Sequence, residues 1–229
     1  MKILSCVVLT LCALATVPAQ ERVMDKTEFE TLVSEGQKHP VKWKGEKYRM
    51  IVTTSSKAVG RPQTDWASKI IVEYGPAAEH RSVSSSTFGD KANPTQETLR
   101  VGNWVYRRSG NEPWTRKEYA ESKAPERPES PVEILETDAQ YKYLGPGSLV
   151  DKPVHIYVKA ERQKKVDKKS GNTIETDSKV TYWVDSSGMV LKLEFTAESR
   201  ATNVTSQTRV MTLWELDPSI SFVAPDIVP

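Results

Sequence analysis

The residue types that most often carry chemistry are sparse in this sequence and stand far apart. The three histidines, His39, His80 and His155, do not lie in a metal-ligand spacing such as HExxH. No G-x-S-x-G element presents a nucleophilic serine, and the run from Gly145 to Ser148 (GPGS) lacks the lysine that a phosphate-binding loop needs. Carboxylates are plentiful, but spacing alone does not single out an acid–base pair. We therefore expect no catalytic site, no metal site and no cofactor.

The N-terminus predicts where the protein works. Lys2 precedes the apolar run ILSCVVLTLCALATV, and Val17-Pro18-Ala19 has the residue types that a signal peptidase accepts. We expect residues 1–19 to be a signal peptide, cleaved before Gln20, and 20–229 to form a single domain in the periplasm. An uncleaved N-terminal anchor is the alternative. No later stretch approaches the ~20 apolar residues of a transmembrane helix.

Cysteine usage and charge exclude further classes of protein. Both cysteines, Cys6 and Cys12, lie in the predicted signal peptide, so the mature chain would contain no disulfide and no thiolate nucleophile. The whole chain has a net charge of only +2. A nucleic-acid-binding protein would carry a clear basic excess, so we expect no nucleic-acid partner.

One helix is predicted at the start of the mature chain. Asp25 and Glu28 have capping-box spacing, and Gly36 offers a stop. The stripe of Phe29, Leu32 and Val33 makes the helix amphipathic.

Most of the remaining chain predicts β-strands with short connections, which favours an antiparallel meander that closes toward a barrel or half-barrel. The predicted strands are Tyr48 to Ser55, Lys69 to Tyr74, Arg81 to Thr87, Thr98 to Val101, Trp104 to Arg108, Tyr141 to Leu144, Val154 to Arg162, Lys179 to Asp185, Met189 to Ser199 and Ser206 to Leu216. Between the predicted strands that end at Arg108 and begin at Tyr141, Ser130-Pro131 before VEIL predicts a loop and a short second helix near Val132 to Glu136. A domain linker is the alternative. The charged run 163–177 is interpreted as a solvated hairpin tip.

The candidate binding residues are apolar. In TYWVDSSGMVLKLEF, residues 181–195, large apolar side chains occupy alternate positions, which places them on one face of a strand. That face could cover a filled core or line a pocket, and periodicity does not separate the two. The candidates for a pocket are Met189, Leu191, Leu193, Phe195, Met211, Leu213, Trp104 and Tyr106.

The register of this hairpin is open. A two-residue turn at Ser186-Ser187 would place Val180, Tyr182 and Val184 beside the apolar row. A three-residue loop with Gly188 in a left-handed conformation would place Trp183 there instead.

Four stretches in order resemble the LolA-type family of periplasmic lipoprotein carriers and its superfamily of lipid-binding half-barrels (LolA, LolB and LppX-like). They are KIIVEYGP with HRSV (69–83), LRVGNWVYRR (99–108), YWVDSSGMVLKLEF (182–195) and the closing FVAP (222–225). The resemblance extends over most of residues 25–225, and the order and spacing of the four stretches carry it. Where lipoprotein carriers of the family commonly have a lid-holding arginine before the turn proline, this chain has Gly75.

The resemblance implies a mainly β fold: a strongly curved antiparallel half-barrel whose concave face is covered by one or two short helices. It also implies an apolar cavity for a lipid or for the acyl chain of a lipoprotein. Phe29, Leu32 and Val33 would then belong to a lid. The expected function is a monomeric, non-enzymatic carrier or chaperone, with envelope membrane proteins as further partners. A sensor, regulatory or structural protein-binding module without lipid cargo is the alternative.

Overall fold

The computed structural model describes residues 21–38, 42–120, 132–168, 170–201 and 204–227. The predicted signal peptide and its cleavage site lie outside these residues. Within these residues, the α-helix α1 spans Lys26–Gly36 and a short 3₁₀ turn spans Pro62–Thr64. The strands are β1 Arg22–Val23, β2 Tyr48–Ala58, β3 Trp66–Tyr74, β4 His80–Phe88, β5 Lys91–Ala92, β6 Gln96–Val101, β7 Trp104–Ser109, β8 Thr115–Glu118, β9 Val132–Leu149, β10 Lys152–Asp167, β11 Thr173–Val184, β12 Val190–Ala201 and β13 Val204–Leu216.

The thirteen strands in the described part of the chain all belong to one antiparallel sheet. Its order is β1-β9-β10-β11-β12-β13-β2-β3-β4-β6-β7-β8, with β5 paired to β4. The first and last strands of this order do not pair with each other, so the sheet stays open. The prediction of a mainly β, antiparallel half-barrel is confirmed, and each of the ten predicted strands coincides with an observed one.

The helix begins where the capping pattern predicted. The side chain of Asp25 accepts hydrogen bonds from the backbone N–H groups of Thr27 (2.8 Å) and Glu28 (3.2 Å), which would otherwise lack partners in the first turn. These bonds lower the pKa of the Asp25 carboxyl. Glu28 turns outward to Arg22 at 2.7 Å, and the helix ends at Gly36 as predicted.

The prediction of a second helix near Val132 to Glu136 is wrong, because this segment is the first part of the strand β9. Glu136 lies opposite Lys164, and Asp138 lies opposite Arg162. Such opposite charges directly across a strand pair favour the sheet over an isolated helical turn. Lys164 belongs to the run 163–177 interpreted as a hairpin tip, but most of this run lies within β10 and β11. The loop before Val132 lies outside the described residues.

The β11–β12 hairpin combines features of both expected registers. Its tip is the three-residue loop, because Asp185 N–H donates to the Met189 carbonyl at 2.9 Å and Gly188 has φ +78°. Val184 therefore faces Val190, but Trp183 faces Lys192, so Leu191 is an extra residue at a β-bulge. Beyond the bulge, Tyr182 lies opposite Leu193 and Val180 lies opposite Phe195. These residues of β11 therefore lie beside the apolar residues of β12, as a two-residue turn would have placed them.

Gly75 is required by a close approach of the C-terminal segment. A Cβ at this position would lie 2.7 Å from Cε2 of Phe222 and 2.7 Å from Oε2 of Glu79. Any side chain here, including the arginine common in lipoprotein carriers, would displace one of these neighbours. The C-terminal FVAP segment therefore occupies the space that such an arginine would need.

We expect Gly75→Ala to lower the free energy of unfolding by about 1–3 kcal/mol, the usual cost of overpacking a filled site. Urea denaturation of Gly75→Ala, Phe222→Ala and the double variant measures the coupling between the two positions. The alanine at position 75 should cost less when Phe222 is already truncated. Additive effects would show that the phenyl ring is not the obstacle.

Candidate functional site

The strand register divides the sheet into two faces. Phe29 of α1 contacts the rings of Tyr141 on β9 (centroids 5.1 Å apart) and Tyr182 on β11 (5.8 Å). We call the face on which α1 lies the helix face. Residues paired directly across an antiparallel sheet project from the same face. The register has no shift from Lys192 of β12 through to Trp104 of β7, so every position on these strands can be assigned.

In six adjacent strands, β11, β12, β13, β2, β3 and β4, the helix face carries no Asp, Glu, Lys or Arg. Its side chains are aliphatic, aromatic or hydroxyl-bearing, apart from His80 at one end. Burial, reinforced by the positive charge of Arg100, lowers the pKa of His80 and so favours the neutral imidazole. The helix face of these strands is therefore uncharged over its described extent.

Every charged side chain of the same six strands projects from the opposite face, which we call the charged face. Many of these side chains form ion pairs there. Arg49 contacts Glu73 at 2.8 Å and Glu215 at 3.2 Å. Arg209 contacts Glu194 at 2.8 Å. This segregation follows the ordinary alternation of a sheet with one solvated side.

Charge returns at both borders of the uncharged zone. On β10, Lys159 and Glu161 lie on the helix face and pair with each other at 3.0 Å. Burial acts to raise the pKa of Glu161, but hydrogen bonds from Lys159 and Gln163 outweigh it and hold that pKa below its usual value. On the other side, Arg100 of β6 also belongs to the helix face.

The uncharged zone contains a contiguous apolar patch. One row across the strands runs Tyr182, Leu193, Thr212, Val52 and Ile70. The rows on either side of it extend the patch with further apolar residues, which are Val180, Phe195, Val210, Trp214, Met50 and Val72. Apart from the buried Thr212, these side chains are only half-buried. Neighbouring strands lie about 4.8 Å apart, so the five-strand row spans about 19 Å.

The predicted binding residues divide between the two faces. Leu193 and Phe195 lie on the helix face, opposite Tyr182 and Val180. Met189 and Leu191 instead pack with Val154 and Trp183 in a separate core cluster, since the bulge at Leu191 reverses the alternation. The expectation that all four residues share one face is therefore wrong.

The four other candidates lie on the charged face. Met211 and Leu213 are paired with Glu194 and Lys192, so they do not share a face with Leu193 and Phe195. Trp104 and Tyr106 share the face of Leu99. Tyr106 is buried, and Trp104 lies 4.3 Å from the Arg116 guanidinium.

Sequence reasoning missed most of the apolar patch, including Met50, Val52 and Ile70. A usable signal was present. Within β2 and β3 the charged residues Arg49, Lys57, Lys69 and Glu73 all stand at odd positions, whereas the even positions are uncharged. Charged residues that recur only at alternate positions identify one face of a strand, and the remaining positions form the other face. This holds even where serine and threonine interrupt the apolar residues of that other face.

The predicted lid residues do contact the sheet. Phe29 and Val33 are buried and Leu32 is half-buried, in a cluster with Tyr141 and Tyr182. At the end of α1, a Cβ on Gly36 would lie 2.8 Å from Cγ2 of Val190 and 2.9 Å from the Gly188 carbonyl oxygen. The contacts that the described residues of α1 make thus run from β9 to β12, and none of them involves β13, β2 or β3.

Two open grooves differ in chemistry. A groove of about 580 Å³ is lined mainly by residues of the charged face, including Lys57, Asp177, Lys179 and Arg209. A second groove, of about 550 Å³, lies on the helix face beside Ile70 and has no charged residue in its lining. In the first groove, an apolar ligand would have to displace the water bound to the charged groups. In the second groove it would meet no charged lining residue.

Two further properties concern only the residues that the structure describes. They contain no group of three or more His, Cys, Asp or Glu side chains placed to hold a metal ion. They also contain no helix with the length and hydropathy needed to cross a membrane.

Comparison with known proteins gives fold-level matches only. No family model matches the chain, and no curated protein matches its sequence. Among solved structures, one similar chain is the LolA superfamily protein NE2245 from Nitrosomonas europaea: 8% identity, TM-score 0.25, 82% of this chain and 94% of that chain covered. Another is a hot dog fold protein of unknown function from Alicyclobacillus acidocaldarius: 10% identity, TM-score 0.13, 83% and 86% covered. The first match is to the superfamily that the sequence resembles. Because both TM-scores are low, no function is drawn from either.

Proposed function

We propose that this protein is a carrier or chaperone that binds the acyl chain of a lipid or lipidated protein on the helix face. The observation that carries the proposal is the absence of charge from this face over six adjacent strands, whereas the charged face holds every charged side chain of those strands. An acyl chain requires this property of its site, because a charged group under the chain would lose its water without gaining a partner.

The size of the patch suits an acyl chain. Each methylene removed from water contributes about 0.8 kcal/mol, so burying ten methylenes would contribute about 8 kcal/mol before the cost of ordering the chain. The five-strand row of about 19 Å is comparable with the length of extended palmitate. Along this row, the chain would pass over Val52 and Leu193 and end against Tyr182, where α1 lies on the sheet.

The occupant is a lipid rather than the segment 121–131 of the same chain. The segment 121–131, ESKAPERPESP, contains no large apolar side chain with which it could cover the patch. We propose export by the N-terminal signal and a periplasmic location, with envelope membrane proteins as donor and acceptor of the lipid. The buried stripe of α1, centred on Phe29, would move aside as the ligand enters.

The test is lipid analysis of the mature protein, residues 20–229. Native mass spectrometry of protein purified from its own envelope should detect a releasable lipid or acylated peptide. After delipidation, the protein should brighten 11-(dansylamino)undecanoic acid with one-to-one stoichiometry, and palmitate should displace this probe. Protein that carries no lipid and does not brighten the probe would overturn the carrier proposal and favour a protein-binding module.

A further inference from the structure

The uncharged groove on the helix face continues the apolar patch across β3, β4 and β6. Ile70 belongs to both, because it lies opposite Val52 of the patch and lines the groove. The polar and aromatic residues of its lining that matter here are Thr54, Trp66, Ser68, Ser84, Asn93 and Gln96. A molecule lying along the patch could therefore extend into the groove without leaving the helix face.

The groove offers neutral hydrogen-bonding groups at high density. Within the described residues, the hydroxyl groups of Ser68 and Ser84 make no side-chain hydrogen bond. The amide nitrogen of Asn93 donates to Ser86 at 3.0 Å, and that of Gln96 donates to Ser109 at 2.8 Å. Their amide oxygens remain as acceptors. Hydroxyl groups can donate to and accept from a ligand that is itself rich in hydroxyls, and the amide oxygens can accept hydrogen bonds from it.

Trp66 supplies an aromatic surface at the same place. It lies at the start of β3, opposite Ser56 and Phe88, and 39% of its surface is exposed. An exposed indole offers a flat apolar surface with one polar N–H, which suits a ligand that has both apolar and hydroxyl-bearing sides. A pyranose ring has this character, because its C–H groups form flat faces and its hydroxyls project from the edge.

We propose that this groove binds a neutral carbohydrate, with one sugar ring stacked on Trp66 and its hydroxyls bonded to the serine and amide groups. A phosphate or ammonium head group would find no opposite charge in the lining. This inference rests on the proposed function where the sugar is the head group of a lipid, since the acyl chain would then occupy the adjoining patch. A free oligosaccharide has the same recognition chemistry.

Three probes of defined chemistry test the proposal by titration calorimetry, with the amphiphiles kept below their micelle concentrations. They are n-dodecyl-β-D-maltoside, dodecylphosphocholine and free maltose. The first two share an alkyl chain and differ in the head group. We expect the maltoside to bind at least about tenfold more tightly than the phosphocholine.

Variants at position 66 separate the contribution of the head group to binding affinity from that of the alkyl chain. Trp66→Ala should weaken maltoside binding by about tenfold and leave dodecylphosphocholine unchanged, whereas Trp66→Phe should retain part of the difference. Phe88→Ala is the matched control, because Phe88 is the exposed aromatic residue directly across from Trp66 and does not line the groove. It should leave both affinities unchanged.

The outcomes distinguish this inference from the carrier proposal. Maltose binding that depends on Trp66, with no affinity for either alkyl chain, would support the carbohydrate site and contradict the lipid carrier. Equal binding of both amphiphiles, insensitive to Trp66→Ala, would support the carrier and overturn the carbohydrate site. If the maltoside bound and free maltose did not, the ligand would be a glycolipid. If free maltose bound and the maltoside did not, the ligand would be a free saccharide.

Discussion

The replacement Val52→Glu is expected to weaken binding of the dansylated fatty acid by at least about tenfold. Val52 lies in the middle of the apolar row, between Thr212 and Ile70, on a face that carries no charge. A bound chain would strip water from the new carboxylate without giving it a partner, and a loss of only about 1.4 kcal/mol already lowers affinity tenfold. Fluorescence titration of delipidated protein measures the change.

The matched control is Thr53→Glu. Thr53 is the next residue on β2 and has nearly the shape of valine, but it projects from the charged face, opposite Lys69. Here a carboxylate meets solvent and an ammonium group, so affinity should stay within about twofold of the unmodified protein. Equal losses at the two positions would show that the helix face is not the binding surface. Circular dichroism of both variants establishes that each remains folded.

The second large effect is expected on stability. Phe29→Ala should lower the free energy of unfolding by about 3 kcal/mol, the usual cost of truncating a buried phenylalanine. Only 2% of the Phe29 surface is exposed, and its ring contacts both Tyr141 and Tyr182. Without the ring, α1 loses its main apolar contact with the sheet, and an isolated helix of eleven residues is marginal in water. Urea denaturation measures the change.

Thr31→Ala is the control for that experiment, because Thr31 is exposed on the same helix. Alanine favours helix over threonine, so this variant should be unchanged or slightly more stable. If the two variants unfolded at the same urea concentration, the packing of α1 on the sheet would contribute little. If Phe29→Ala unfolded α1 alone and left the sheet intact, amide hydrogen exchange would show the loss confined to residues near Lys26–Gly36.

Much of the fold could be predicted from local patterns. The strands follow from alternation and from turn residues, and the start of α1 follows from Asp25, whose carboxylate satisfies two N–H groups within three residues. These features are decided by atoms close together along the chain. The same locality made the segment after Ser130-Pro131 ambiguous. Its strand conformation depends on pairing with Lys164 and Arg162, which lie far away in the sequence.

The candidate site was harder to predict, because it depends on which residues share a face. The apolar alternation from Met189 to Phe195 predicted the strand correctly, but it did not predict the bulge at Leu191 that places Leu191 and Leu193 on different faces. One extra residue in a strand changes the face of everything beyond it. Trp104 and Met211 were candidates by residue type alone, and the sheet register assigns them to the charged face.

The sequence by itself determined most element types, though not that of the segment from Val132 to Glu136, together with the helix cap and the segregation of charge within each strand. These are properties of near neighbours and of a two-residue period. Only the tertiary structure decided that the uncharged sides of six strands join into one surface. It also decided that α1 lies over one end of that surface and that Phe222 excludes a side chain at position 75. Those outcomes depend on strand order, register and close packing between distant segments, which no local pattern encodes.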